Sequence, residues 1–483
     1  MKTLKVTLKQ HTPLIHFQHD QYGATLRASE VKPKLDKFIL ERLGEGQYQK
    51  GIDIAKENGW LVGKGEHSAL DYRMSIVANK IDKNIYLNAI PKTKYNPEIR
   101  STEIVYLTNF PLLLSNMGGK KNEDELVNFS CAESVTLECI FFDKVDSKSG
   151  CKIDFDKLLT RIKNEIVVFF ANNNWGQRKD KGFGSFTVKE IDATKIIWNS
   201  KEMYAEGTQL LQYEVDNNGM EKMKNLFGVI DFYWKLLKSG INYTVRVIDE
   251  KGKVTRSNID WYKKSYLWIY LNDKKECTWE KRQVKTDLKL DCFKLASDPT
   301  IIPNNNPAFF ARAHLGCPID GFTYKIPNGK LVRDRNGNIF RNKNGRVQEE
   351  SKSVDIVLNN NKDIKRIAAP IIFKPVFFKT KKADGEIIDV VSIYILYDKE
   401  TIEALHTVGD ATFTFEKKKD HLKLKSELPL FIRNKVDKKR LLLDYHDLIC
   451  QYHRSFNFSM IARDFKWNNI LGKREIRLLQ IKK

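Results

Sequence analysis

The residues best suited to chemistry in this 483-residue chain fall in one short run, Trp175–Phe186 (WGQRKDKGFGSF). Gly176, Gly182 and Gly184 interleave there with Arg178, Lys179 and Lys181. Glycine is needed where backbone must approach a phosphate closely or adopt φ > 0, and the cations add charge complementary to a polyanion. Trp175, Phe183 and Phe186 would offer rings on which bases can stack. The alternative is an ordinary turn between a helix and a strand. A P-loop is excluded because GxxxxGK(S/T) is absent, and a Rossmann fingerprint is excluded because the run leads into a strand.

A second group is His11, His16, His19 and Asp20. Histidines beside a carboxylate can ligate metal or move protons. On a strand, positions 11 and 16 point to opposite faces, so a shared metal would need a bend; a polar surface loop is the alternative. His19-Asp20 and His446-Asp447 are HD dipeptides, but the further ligands of an HD phosphohydrolase are missing. The sequence contains no HExxH, no GGDD and no Ser-His-Asp or Cys-His nucleophile pattern. No metal and no cofactor is expected.

The third group is Arg27, Ser29 and Lys32, at the start of an expected helix. The N–H groups and positive dipole end of a helix, with a hydroxyl and two cations beside them, make a phosphate site. The plain alternative is Ser29 as an N-cap with Lys32 solvated.

The elements that must position these groups follow from periodicity. Lys2–Leu8 alternates as a half-buried strand. A helix from about Ser29 carries Leu35, Phe38, Ile39 and Leu43 on one stripe, which places Pro33 in its first turn. Ser134–Phe142 reads as a strand, Asp156–Phe170 as an amphipathic helix and Ser185–Ile191 as a strand. Strand, helix, strands, helix, strand is the order of a ferredoxin-like βαββαβ unit. A second unit begins near residue 205, with a helix over Met223–Lys238, strands over Tyr266–Leu271, Ile371–Lys379 and Val390–Tyr397, and a short helix over Asn306–Leu315. The expected fold is α+β: two ferredoxin-like (RRM-like) βαββαβ units with insertions, antiparallel sheets and helices on one face. The expected domains are residues 1–195 and 196–483.

Composition sets the partner class. The formal net charge is +22, which repels itself unless a polyanion neutralises it. Nucleic acid is the first expectation and an anionic membrane surface the second. No stretch approaches 18 uninterrupted apolar residues and no signal-peptide core opens the chain, so no membrane span is expected. Seven scattered cysteines without a CxxC pair fit reduced thiols of the cytoplasm. Two segments concentrate the charge. Ile326–Arg346 holds Asn-Gly three times at eight-residue spacing, the mark of type I′ turns, and carries Arg333, Arg335 and Arg341 among six cations. The basic segment 416–483 mixes cations with Phe456, Phe458, Phe465 and Trp467, which suits a folded RNA path or a protein-binding surface.

A basic glycine-rich loop before the last strand of such a unit resembles the RAMP superfamily of CRISPR RNA-binding proteins. Thr12-Pro13-Leu14 is similar to the TPL that ends the first strand of many RAMP proteins, and Ser29 and Lys32 match their small-Ser-x-x-Lys helix start. Ala313–Ile319 (AHLGCPI) and Arg366–Val376 (RIAAPIIFKPV) resemble the LGLPI and R-x-x-SPL stretches of the Cmr-type subunit one family, with Cys317 and Ala369 as departures. The resemblance implies a type III-B subunit that binds guide RNA (crRNA) or target single-stranded RNA near the guide 3′ end. Other RAMP subunits and the large subunit would be its partners, with no membrane and a cytoplasmic setting. Cleavage is not implied. An endoribonuclease of the same superfamily, using His16, His19 or Asp20, is the rival reading, and a protein-binding scaffold is another.

Overall fold

In a computed structural model, the described residues are all but 16–24, 64–67, 83–88, 97–100, 109–130, 146–149, 216–218, 249, 251–253, 274–279, 289–307, 319–320, 334–336, 340–348, 418–424, 432–436, 456–475 and 483. Along the chain two compact units interleave. One comprises Met1–Asp231, Ile372–Leu396 and Asn457–Lys483; the other comprises Phe232–Ile371 and Tyr397–Phe456. The first unit thus runs past residue 195 to Asp231 and takes in two later segments.

The first strand, β1 (Lys2–Gln10), follows its alternation: Leu4, Val6 and Leu8 are fully buried while Lys5 and Lys9 are exposed. Helix α1 (Ala28–Leu43) buries Val31, Leu35 and Ile39. Its N-cap is Arg27, in extended conformation and without a side-chain capping bond, so Ser29 lies inside the first turn and is not the cap. Pro33 is the sixth helical residue, beyond the first turn where it was expected; the helix there lacks the N–H that would bond the Ser29 carbonyl. Next come α2 (Tyr48–Glu57), the short pair β2 (Leu61–Val62) and β3 (Ala69–Leu70), then β4 (Arg73–Asp82) and the hairpin β5 (Ala89–Asn96)–β6 (Ser101–Thr108). Strand β7 (Cys131–Phe141), helix α3 (Asp156–Asn172), β8 (Phe186–Ile191) and β9 (Thr194–Lys195) complete a sheet of order β4-β7-β1-β8-β9. Each pair in it is antiparallel. Its inner side chains form one core with Leu35 and Ile39 of α1 and Leu158, Ile162, Ile166 and Phe169 of α3. The two helices therefore cover one face, and an apolar core of this kind supplies most of the driving force.

After the turn α4 (Ser200–Met203), strand β10 (Gln209–Glu214) and helix α5 (Gly219–Lys238) follow. The chain then builds most of the other unit: β11 (Ile241–Ile248), β12 (Val254–Lys263), α6 (Tyr266–Asp273), α7 (Glu280–Asp287), β13 (Cys317–Pro318), β14 (Phe322–Leu331), β15 (Glu349–Asn360) and β16 (Arg366–Ile367). Strands β17 (Ile371–Lys381) and β18 (Ile387–Tyr397) return to the first unit. Helix α8 (Lys399–Thr407), β19 (Thr412–Lys417), β20 (Lys425–Pro429) and α9 (Lys438–Ser455) belong to the second, and β21 (Arg477–Gln480) to the first. The second sheet of the first unit has the order β17-β18-β10-β21. It repeats the scheme of the first four strands of the other sheet: the earliest strand lies between the third and the fourth, and the second lies outside the third.

The second unit holds the antiparallel sheet β14-β15-β19-β20, with Phe310 edge-on to Phe413 and Phe415 at 5.2 Å. The segments AHLGCPI and RIAAPIIFKPV meet there as β13 and β16, with Cys317 opposite Ile367 and Pro318 opposite Arg366. Two expectations change. The run Tyr266–Leu271 is helical, not a strand. An unbroken apolar run has no alternation to decide between the two, and the buried Ser265 caps it, its Oγ accepting from Trp268 N at 3.3 Å. The first Asn-Gly, Asn328-Gly329, lies inside β14 at a register shift between Pro327 and Leu331, so it marks a bulge and not a hairpin turn. Of the second, Asn336 lies outside the described residues, while Gly337 takes φ +80° and Arg333 and Ile339 form an antiparallel bridge. The third, Asn344-Gly345, lies outside the described residues.

Candidate nucleic-acid interface

The segment Trp175–Phe186 connects α3 to β8, as its position in the sequence required. Trp175 N donates to Gly184 O at 2.9 Å and closes the loop at its neck. A 3-10 turn over Lys179–Lys181 forms its tip, flanked by Arg178 and Gly182 with φ of +55° and +89°. The Thr12-Pro13-Leu14 stretch laces it to β1. Thr12 Oγ1 donates to Gly182 O at 2.7 Å and accepts from Ser185 N at 2.9 Å, and Gly184 N donates to Pro13 O at 2.8 Å. The start of α1 joins from the other side, where Glu30 Oε1 accepts from Gly176 N at 3.2 Å. Three motifs distant in sequence thus meet in one cluster.

The glycines serve this internal closure. A Cβ on Gly184 would lie 2.0 Å from Trp175 O, and one on Gly176 would lie 2.5 Å from Ile15 O, both at positive φ. The close approach that demands glycine is to the chain itself.

The aromatic residues change role. Trp175, Phe183 and Phe186 are fully buried. The Trp175 ring packs on Phe169 and Phe170 at 5.6 and 5.7 Å, with Lys34 over it at 4.8 Å. Phe183 stacks on Phe227 at 4.1 Å with the rings 5° from parallel. Neither ring has an open face for a base, which corrects the stacking expected of all three. Flanking aromatics in a short loop were worth more as anchors in the core than as platforms in water.

The cations divide. Arg178, Lys179 and Lys181 are half-buried around the tip, with Lys181 Nζ 3.2 Å from Asp180. At the helix start Arg27 is half-buried and Ser29 is exposed. Lys32 turns inward: its ammonium donates to Asp36 at 2.6 Å and to Leu70 O at 2.8 Å, and it lies 4.3 Å from the centre of the Tyr72 ring. Burial raises the Asp36 carboxyl, and the Lys32 charge and the Tyr72 hydroxyl work against that rise. A phosphate would have to draw Lys32 out of this network, so the site expected from it is already occupied by protein groups. Arg333 is exposed and donates to Gly337 O at 2.6 Å. Arg335, Arg341, His16, His19 and Asp20 lie outside the described residues.

Residues that sequence reasoning missed brace the loop from beneath. Lys374 on β17 is fully buried, and its Nζ donates to Asn173 O at 2.7 Å and Phe186 O at 2.8 Å, at the two ends of the loop. Burial pushes its ammonium well below the ordinary lysine range. Asn174 Nδ2 donates to Lys179 O and Phe373 O, each at 2.7 Å, and Ser185 Oγ donates to Pro375 O at 2.6 Å. The one trace of this in the sequence is a lysine set in the apolar run IIFKPVFF. His11 is also structural. Its Nδ1 accepts from Phe377 N at 3.0 Å, which leaves the proton of the neutral ring on Nε2, 2.7 Å from Thr187 Oγ1. Burial first, then the charges of Lys9, Lys374 and Lys222, hold His11 well below the usual imidazole range. Among the described residues no group of three or more His, Cys, Asp or Glu side chains could hold a metal ion, and no helix is long and apolar enough to cross a membrane.

Fold and site describe a basic α+β protein with a braced cationic loop. The family model of the Cmr1 N-terminal domain matches residues 1–241 and that of the Cmr1 C-terminal domain matches residues 262–461. The chain belongs to the Cmr1 family. No curated protein matches it. Among solved structures it is similar to a chain of a type III-B Cmr-beta complex bound to cognate target RNA. That likeness has 12% identity and TM-score 0.30, covering 82% of this chain and 94% of the other. A chain of the same type of complex with target RNA and AMPPnP, in the presence of ssDNA, shows 11% identity and TM-score 0.31, covering 92% and 98%.

Proposed function

We propose that this protein is a non-catalytic RNA-binding subunit of a type III-B CRISPR effector complex. It holds guide or target RNA near the 3′ end of the guide and assembles with other RAMP subunits and the large subunit. The observation that carries this reading is the loop tip. Arg178, Lys179 and Lys181 are presented on a backbone pinned at once to β1, α1 and β17, in a chain of the Cmr1 family with a net charge of +22. Cations on a pre-set backbone lose little further entropy when they meet phosphates. The shared strand scheme of the two sheets of the first unit supports two βαββαβ ferredoxin-like units, the second interrupted between α5 and β17 and again between β18 and β21.

Binding to labelled single-stranded RNA, followed across salt concentrations, tests the reading. Each phosphate contact contributes about −0.7 to the slope of log K against log[salt] for a single strand, so the affinity should fall steeply. In R178A/K179A/K181A the slope should become shallower by about 2. An affinity indifferent to salt, or one unchanged in the triple variant, would remove the loop from the interface. RNA incubated with the protein, with and without divalent metal, should stay intact. Discrete fragments lost in H19A or D20A would instead make it an endoribonuclease.

A further inference from the structure

The outer face of the first sheet carries a second group of cations, built by residues far apart in the chain. The side chains of β1 alternate, so Lys5, Thr7 and Lys9 stand on the face away from the α1–α3 core. His11 continues that row but is buried against Phe377. Strand β17 thus caps one end of the face, and the lysines gather at the seam where cover gives way to open sheet. Lys9 Nζ donates to Phe377 O at 2.9 Å, and the ammonium of Lys222 lies 4.0 Å from the centre of the Phe377 ring. Lys379, two residues along β17, and Lys189 on β8 are exposed beside them. Burial lowers Lys9, and the charges of Lys222, Lys189 and Lys379 lower it further, while Asp389 opposes; burial likewise lowers Lys222. Asp389 opposes the lowering of both ammonium groups, Cys131 opposes that of Lys222, and Glu190, opposite Thr7 on β8, lies with its Oε1 3.6 Å from Lys189 Nζ.

Like charges held together in this way are relieved when an anion joins them. A row of small hydrogen-bonding groups continues across the open face. Thr7 stands opposite Thr136, and Thr136 opposite Val77. Asn79 Nδ2 donates to Thr136 Oγ1 at 2.8 Å and Ser134 Oγ at 3.2 Å, and Val77 is 60% exposed.

We propose that Lys9 and Lys222 at Phe377, with Lys189 and Lys379 adding their charge to Lys9, bind a backbone phosphate of single-stranded RNA whose neighbouring nucleotides run over Thr7, Thr136, Val77 and Asn79. This rests on the RNA-binding reading above and adds a contact surface separate from the glycine-rich loop. RNA fits better than an acidic protein segment because the face beyond the lysines presents hydroxyls and amides suited to 2′-hydroxyls and base edges. The phosphate contact sets affinity and the polar row sets register.

The test uses the full chain and a 5′-labelled single-stranded RNA. K9Q/K222Q should bind about tenfold more weakly at moderate salt, with a slope shallower by about 0.7, the share of one single-strand phosphate contact. K9R/K222R keeps the charge and should retain most of the affinity, which separates loss of a contact from loss of fold. In acetic anhydride labelling of the unmodified protein, RNA should protect Lys9 and Lys222 and leave Lys399 unprotected. RNA binding by the unmodified chain with K9Q/K222Q unchanged in affinity and slope overturns this site alone. Protection of Lys9 and Lys222 by poly-glutamate but not by RNA would also overturn it, in favour of an acidic protein partner. A chain with no RNA affinity in any salt overturns the functional reading and this site with it.

Discussion

The glycine-rich loop and the lysine seam at Phe377 are both cationic regions of one compact unit, yet they are assembled on opposite plans. In the loop the charges are neighbours in sequence, and the fold spends its contacts fixing the backbone that carries them. At the seam the charges come from β1, β8, α5 and β17, and the fold is what brings them together. A cluster legible in sequence can thus need extensive scaffolding, while one invisible there is assembled by the fold itself. Strand β17 links the two, since Lys374 braces the loop and Phe377 organises the seam.

The largest effect should come from the loop as scaffold. In Gly184→Val the new Cβ would meet the Trp175 carbonyl at positive φ. Denaturant unfolding should show a loss of about 3 kcal/mol or more. A milder loss would mean that the loop yields easily and that the contrast with the seam is overstated.

Lys374→Met should follow. It leaves the carbonyls of Asn173 and Phe186 without their donor, at a cost of about 1–3 kcal/mol. The pH dependence carries its own sign. The folded state holds Lys374 below its ordinary range, so between that lowered value and 10.5 the unfolded chain binds more protons. Wild-type stability should rise with pH through this window, and the Met variant should lose that rise.

His11 works the same way lower on the scale. Its folded value lies well below 6.5, so stability should fall as pH drops below 6.5 and the unfolded chain takes up a proton the folded one refuses. His11→Asn should flatten the first part of this acid limb in thermal melts. An unchanged limb would show that the Phe377 N–H bond to Nδ1 does not govern it.

Phe183→Leu should have the smallest effect. The ring lies on Phe227 in the interior, so stability should fall by about 1 kcal/mol while RNA affinity stays level. A selective loss of RNA affinity would restore the stacking role to this ring.

Much of the first sheet was legible in advance. The alternation of β1, the apolar stripe of α3 and the span of β8 all appear where periodicity placed them, because each pattern reports a local boundary between core and water. The loop was found by its glycines and cations, whereas its hydrogen bonds to Thr12 and Pro13 came from the structure. Three readings failed for related reasons. Tyr266–Leu271 had no alternation to separate helix from strand, and Asn328-Gly329 fits a bulge as well as a turn. The rings of Trp175 and Phe183 could serve water or core equally well until their neighbours were known.

By itself the sequence determined the patterned elements of the first sheet, the net charge and the chemical character of the loop, since these depend on residues a few positions apart. The tertiary structure alone decided that β17 returns from beyond residue 370 to set Lys374 under the loop and Phe377 between Lys9 and Lys222. Such pairings rest on long-range packing, in which a single lysine inside an apolar strand gives no notice of the carbonyls it will meet.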